Sequence, residues 1–273
     1  MRRGLLAAVG LFASLVLTGC VDGAAFGNAF HETVDVTRPF SATGTFQLEN
    51  TNGNVRVSTW DEPRVRIEAV KGAGSEDALR RIEVAIEGEG DRVEVRTRYP
   101  HGPWFHRSGK VDYTIRLPRQ ARVEVRTVNG RLEVEDVGGR LHAQTVNGGV
   151  EATGVGGEVE ASTVNGTVRV ALVRVEPASR NRLSATNGTV RVTLPRDVAA
   201  EVEATTVNGA VHCDFDLADG RTSRRHVEGR IGRGGARFEL HTVNGTADID
   251  RGLASVAATT TARPKTEAEP ATK

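Results

Sequence analysis

The sequence has almost no cysteine. Cys20 and Cys213 are the only two in 273 residues. Two thiols cannot build a disulfide framework or a thiolate metal site. Once Cys20 is modified, as argued below, Cys213 has no thiol partner within the chain and reads as a small buried residue. Charge of either sign is not in excess either. With Arg2 and Arg3 set aside as part of a targeting segment, 34 basic residues face 35 acidic ones. That balance speaks against nucleic acid as a partner, and against attachment to an anionic lipid surface by charge. The apolar run Leu5–Leu17 is too short to span a bilayer comfortably.

What the chain does have is a repeat. Thr-Val-Asn-Gly occurs at 127–130, 145–148 and 163–166. Beneath it lies a stricter nine-residue period, with Gly130, Gly139, Gly148, Gly157 and Gly166 in one column. Val128, Val137, Val146, Val155 and Val164 form a second column, and Leu132, Leu141, Val150, Val159 and Val168 a third. The residue before each glycine alternates between Asn129, Asn147 or Asn165 and Gly138 or Gly156. The full unit is therefore eighteen residues, in two similar halves.

Each half reads as a turn followed by an apolar–polar–apolar strand. Asn-Gly and Gly-Gly supply the backbone angles of tight corners. A short fixed period points to stacked coils. The expectation is an all-β, single-domain β-solenoid, resembling a parallel β-helix, with two strands and two corners per coil. One corner would stack Asn129, Asn147 and Asn165, and the other Gly138 and Gly156. At about 4.8 Å between coils, stacked Asn amides can bond to one another as a ladder. The alternative is an antiparallel β-meander, because Asn-Gly also marks hairpins. The solenoid is preferred because identical corners touch only there.

Residues 1–19 read as a signal peptide, with a basic start and an apolar run. Leu17-Thr18-Gly19-Cys20 resembles the lipobox of bacterial lipoproteins, which implies cleavage before Cys20 and its lipidation. Several acyl chains would then anchor the protein stably. Val21 after Cys20, rather than Asp, resembles the outer-membrane-sorted class. Residues 20–37 read as a tether, 38–250 as the solenoid domain and 251–273 as a disordered tail. Within the domain, Asn52-Gly53 opens the corner series, and Ser75–Arg81 reads as a short helix with Ser75 as its N-cap. Ile82–Ile86 and Val93–Thr97 read as strands around a glycine-rich turn. After Val170 the corners Asn187, Asn208 and Asn244 arrive at looser spacing. The extra residues fall at Val175–Arg182 and Asp216–Arg230, which read as loops leaving the coil.

Taken in order, these features resemble the bacterial putative-adhesin family, a group of β-strand-repeat proteins whose domain has no known function. The matching residues are the Asn52 opening, Trp60-Asp61, Thr114–Pro118, the Thr-Val-Asn-Gly corners and the Ile231-Gly232…Gly234-Gly235 segment. The resemblance implies a solenoid-like domain at the cell envelope. It brings no catalytic residues and no cofactor.

Corners of the calcium-binding β-roll type need Asp in each half-coil. Arg131, Arg140, Gly149, Glu158 and Thr167 stand there instead, which speaks against a calcium ladder. Glu133, Glu151 and Glu160 could align as an outward carboxylate set, the one hint of a carbohydrate-active enzyme. A solvated strand face is the simpler account. His101 and His106, five apart without nearby Cys or Asp, are a weak ligand set. Trp104 and Phe105 between them either cover a solenoid end or anchor a partner. Arg221, Arg224 and Arg225 make the second loop basic and a second candidate interaction surface. The corner residues Asn52, Asn129, Asn147, Asn165, Asn187, Asn208 and Asn244 read as structural. The functional expectation is a non-catalytic, lipid-anchored envelope protein that meets an envelope protein or glycan. The alternatives are a carbohydrate-active enzyme and a structural spacer.

Overall fold

The computed structural model describes residues 30–99 and 109–253. The signal segment, Cys20, His101, Trp104, Phe105, His106 and residues 254–273 of the expected tail lie outside the described residues. Arg251, the first residue of that expected tail, is still strand.

The most regular part is built from β8 (Leu141–Asn147), β9 (Val150–Val155), β10 (Val159–Asn165) and β11 (Val168–Leu172). β8 and β10 run parallel with Leu141 opposite Val159, and β9 and β11 run parallel with Val150 opposite Val168. Each partner lies eighteen residues on, so the chain coils as a solenoid, not a meander. Alternate residues point inward: Leu141, Ala143 and Thr145 are buried while Gln144 is exposed. The two strands of a coil form opposite faces over a core of Val, Leu and Ala columns. At the second corner Gly156 stacks on Gly138, which leaves room for only a thin turn. Burial of one Val is worth about 1.5–3 kcal/mol and a side-chain hydrogen bond about 1 kcal/mol. The apolar columns therefore supply most of the stability, and the corners fix the register.

The first coil comprises the second half of β1 (Phe30–Glu49) and β2 (Val55–Trp60). It stacks against β6 (Arg122–Arg126) and β7 (Leu132–Glu135), although 77 residues separate Asn52 from Asn129. The intervening chain closes this end. β3 (Arg64–Ala73) lies antiparallel between the first half of β1 and β5 (Gly109–Pro118), and β5 lies parallel against β2. On the other face β4 (Glu83–Arg98) pairs with β1 beyond the first coil. β4 turns at Gly88 and Gly90, both at positive φ, and Arg98 returns to 3.9 Å from Glu83. This is the expected pair of strands around a glycine-rich turn. α1 (Glu76–Arg80) is the expected short helix, with Ser75 accepting a hydrogen bond from the Ala78 N–H.

The tether is shorter than the sequence suggests, because residues 30–37 already belong to β1. They form the edge strand of their face, so burial there is only partial and the apolar signal weak. Backbone pairing with β3 and the ion pair of Asp35 with Arg66, 2.5 Å, hold them.

At the other end the coil order departs from the chain order. β12 (Arg180–Asn187) and β13 (Val190–Leu194) follow β10 and β11. β18 (Ala236–Asn244) and β19 (Ala247–Arg251) stack next, and β14 (Ala200–Asn208) and β15 (Val211–Cys213) come last. The final coil in sequence thus sits between two earlier ones.

Two expected loops need correction. Arg180–Arg182 are strand, and the loop ends at Ser179. The buried Asn181 breaks the apolar alternation there, its Oδ1 accepting from the Val159 N–H. Asp216–Arg230 contains a hairpin, β16 (Ala218–Thr222) and β17 (His226–Ile231), with β17 antiparallel to β14. All five β16 residues are exposed, so no period-two pattern announces the strand.

Candidate functional site

The Thr-Val-Asn-Gly corner assigns each residue one task. Thr points inward, and Thr145, Thr163, Thr242 and Thr206 donate to the carbonyls of Gly130, Gly148, Gly188 and Gly245 in the neighbouring coil. Val points outward, and Val128, Val164 and Val207 are exposed. Gly is required because a Cβ would run into the next coil's backbone, as for Gly188 against the Gly166 carbonyl. Asn forms the ladder, and all seven predicted corner asparagines are in it. In spatial order they are Asn52, Asn129, Asn147, Asn165, Asn187, Asn244 and Asn208. Each Nδ2 donates to the preceding Oδ1 at 2.8–2.9 Å.

A second ladder runs in the backbone beside it. The N–H groups of Gly53, Gly130, Gly148, Gly166, Gly188 and Gly245 donate to the carbonyl of the next asparagine at 2.9–3.1 Å. Both ladders have direction, so their two ends differ chemically.

The first end is closed. Asn52 Nδ2 donates to the Gly109 carbonyl at 3.3 Å, and the Val111 N–H donates to the Asn52 carbonyl at 2.8 Å. The Tyr99 hydroxyl also donates to the Asn52 carbonyl, at 2.9 Å, and burial pushes its pKa well up. Tyr113, hydrogen-bonded to Thr97 at 2.6 Å, is pushed up by burial to about 12.

The second end has an open corner. The Thr206 N–H donates to the Arg225 carbonyl at 3.0 Å and the Val211 N–H to the Arg224 carbonyl at 2.9 Å. The chain between β16 and β17 thus crosses the corner and satisfies the backbone on either side. Between these two points the Gly209 N–H and Asn208 Oδ1 have no partner among the described residues. A cleft of about 430 Å³ opens there, lined by Val207, Asn208, Gly209, Arg224 and Arg225.

The three arginines singled out in the sequence separate here. Arg221 lies 3.4 Å from Glu228. Arg230, on the same hairpin, is 2.5 Å from Asp219. Arg224 and Arg225 are exposed and have no carboxylate partner among the described residues, and Arg225 reaches only the Val207 carbonyl, at 3.5 Å. The sequence located the basic segment, read there as a loop, but missed Asn208 and Gly209 as its neighbours. The 36-residue gap between Asn208 and Asn244, twice eighteen, was the available signal that a coil departs from sequence order.

Of the three carboxylates considered for catalysis, two come together and the third does not. Glu133 and Glu151 are neighbours on one face, with Glu133 bound to Arg56 at 2.6 Å. Glu160 lies on the opposite face, beside His142 at 3.1 Å. Cys213 is half-buried rather than fully buried, packed against the core, and burial pushes its thiol up. Among the described residues no group of three or more His, Cys, Asp and Glu could hold a metal ion.

The family model for Toastrack DUF4097 matches residues 33–250. The chain belongs to that family. Among solved structures, the Toastrack solenoid is similar to a "putative cell adhesion protein" from Clostridium sporogenes. Identity is 14%, the TM-score is 0.51, and the match covers 81% of this chain and 99% of that one. A "putative adhesin" from Bacteroides fragilis is 11% identical with a TM-score of 0.40, covering 80% and 96%. At such identities the first shows a shared fold and the second carries no argument. No curated protein matches the chain.

Proposed function

We propose that this protein is a lipid-anchored, non-catalytic module of the bacterial cell envelope that holds a rigid β-solenoid out for interaction. The observation that carries the reading is the polarity of the rod. Phe30, the first described residue after the Cys20 segment, lies on the edge strand of the closed end. The Asn208 corner lies at the other end. On that face β1 and β15 are nine strand spacings apart, which at about 4.8 Å each is roughly 40 Å. A chain tethered near Cys20 therefore carries its open corner away from the membrane. The lipobox-like Leu17-Thr18-Gly19-Cys20 and the cell-adhesion name of the Clostridium structure support the same reading. Glu160 lies on the face opposite Glu133 and Glu151, and Glu133 is held by Arg56, which supports the non-catalytic reading.

Two experiments test it. Membrane fractionation and labelling with a palmitate analogue should follow the wild type and fail for Cys20→Ser. An unlabelled wild type, or a substituted chain that still fractionates with membranes, would remove the lipid anchor. The soluble Cys20→Ser chain, immobilised, should retain a component of purified envelope glycan or membrane-protein fractions. Retention of neither would leave a structural spacer.

A further inference from the structure

We propose that the open corner at Val207, Asn208, Gly209, Arg224 and Arg225 is a binding site for a carboxylate-bearing sugar, a uronate unit of an envelope glycan. The inference rests on the interaction-module reading and names its ligand class. Three observations determine the chemistry. The first is charge: Arg224 and Arg225 lack a carboxylate partner among the described residues, while Arg221 and Arg230 on the same hairpin are paired. Guanidinium groups in this state select an anion, and a planar carboxylate suits their forked donors.

The second observation is the pair of groups left by the two ladders. In the other six corners the glycine N–H meets the carbonyl of the next coil. At the end, the Gly209 N–H needs an acceptor and Asn208 Oδ1 needs a donor, side by side. A sugar ring carries hydroxyls that both accept and donate, next to its carboxylate. A simple anion without a proton offers no donor to Asn208.

The third observation is steric. An added peptide strand would need the N–H groups of Thr206 and Val211 on either side, and the Arg225 and Arg224 carbonyls already occupy them. Between those two points the corner remains open. A cleft of about 430 Å³ matches a compact ligand, and the half-exposed Val207 offers an apolar wall for ring C–H groups.

The test is calorimetric titration of the soluble full chain carrying Cys20→Ser with a galacturonic acid trimer. Galactose trimer, inorganic phosphate and hexaglutamate serve as comparison probes. The uronate trimer should bind, and the Arg224→Ala/Arg225→Ala double variant should weaken it about ten-fold or more. Arg221→Ala should leave affinity within about two-fold, and rising salt should weaken binding. The Gly209 amide resonance should move on titration, which a nonspecific charge contact elsewhere would not cause. Circular dichroism should show both arginine variants folded, since the substituted side chains are exposed. Equal binding of the neutral trimer, equal or tighter binding of hexaglutamate, binding of phosphate alone, or no binding of the uronate would each overturn the site. So would an undiminished affinity in the double variant. If the site fails while the immobilised chain still retains an envelope component, the module stands and its ligand face lies elsewhere.

Discussion

Asn244 and Asn187 are 57 positions apart in the chain, yet Asn244 Nδ2 donates to Asn187 Oδ1 at 2.8 Å. The nearer corner in sequence, Asn208, is displaced one coil further and donates to Asn244 in turn. In space β18 and β19 lie between β12 and β13 on one side and β14 and β15 on the other. β14 and β15 consequently have no parallel neighbour except the segment that follows them.

This order makes the end of the rod depend on Phe238, which is fully buried in β18. Phe238→Ala should cost about 3–5 kcal/mol by emptying the core between two coils. Hydrogen exchange should then show β14 and β15 losing protection before β8–β11, although β14 and β15 precede the substitution in sequence. Wild-type protection at Val202 and Ala204 in the variant would contradict this coil order.

The asparagine ladder gives a second measurable outcome. Asn147 donates to Asn129 and accepts from Asn165, both at 2.8 Å. Asn147→Leu removes both bonds and strands one amide on each side. Because the ladder is exposed, water recovers part of the loss, and the expected cost is about 1–2 kcal/mol. For a domain of this size that lowers the melting temperature by about 2–6 °C. No change would mean that the ladder follows the register without helping to set it.

The sequence made the middle of this fold readable and its ends hard to read, for a physical reason. Between Val128 and Val170 each residue has the same neighbour type eighteen positions away, so period, corner and core columns coincide. At the ends, pairing rests on the backbone and on scattered ion pairs such as Asp35 with Arg66, not on a repeated column. β16 is exposed throughout, residues 30–37 sit on an edge, and Asn181 places an amide where the pattern wants a hydrocarbon. None of these leaves a periodic trace. The candidate site was half visible for the same reason. Arg224 and Arg225 announce themselves as charge, but the open Gly209 N–H exists only because the coil order puts Asn208 last.

Glycine requirements differ sharply between corner and turn. A Cβ on Gly188 would overlap the Gly166 carbonyl, so Gly188→Ala must push two coils apart, at about 3 kcal/mol or more. A methyl group on Gly90 would meet no atom within 4 Å, and only a left-handed φ of 69° has to be maintained there. Gly90→Ala should cost about 1–2 kcal/mol. Chemical denaturation of both variants checks the contrast, and similar losses would show that backbone angle, not coil spacing, selects glycine at the corners.

Two carboxylates should respond to pH in opposite directions. The Arg66 guanidinium, hydrogen-bonded to Asp35, holds that carboxyl below its usual range. Its stabilisation is present above the unfolded-state pKa and is lost as pH falls through the lower folded-state value. Asp250 is shifted up, first by burial and then by Asp214 and Asp248, against the pull of Arg191. The folded state therefore favours its neutral form. Its charge is a cost above the folded-state value, and that cost disappears as pH falls below the unfolded-state value of about 3.9. Asp35→Asn should lower the melting temperature near neutral pH, and Asp250→Asn should raise it. Both groups are partly solvated, so each shift should be small, about 1–3 °C. Both differences should shrink in acid, that of Asp250 first because its folded-state pKa is the higher. A stabilising Asp35→Asn would show that the Arg66 pair does not repay its own desolvation. An Asp250→Asn that destabilises at neutral pH would show that ion pairing with Arg191 outweighs burial at this end of the rod.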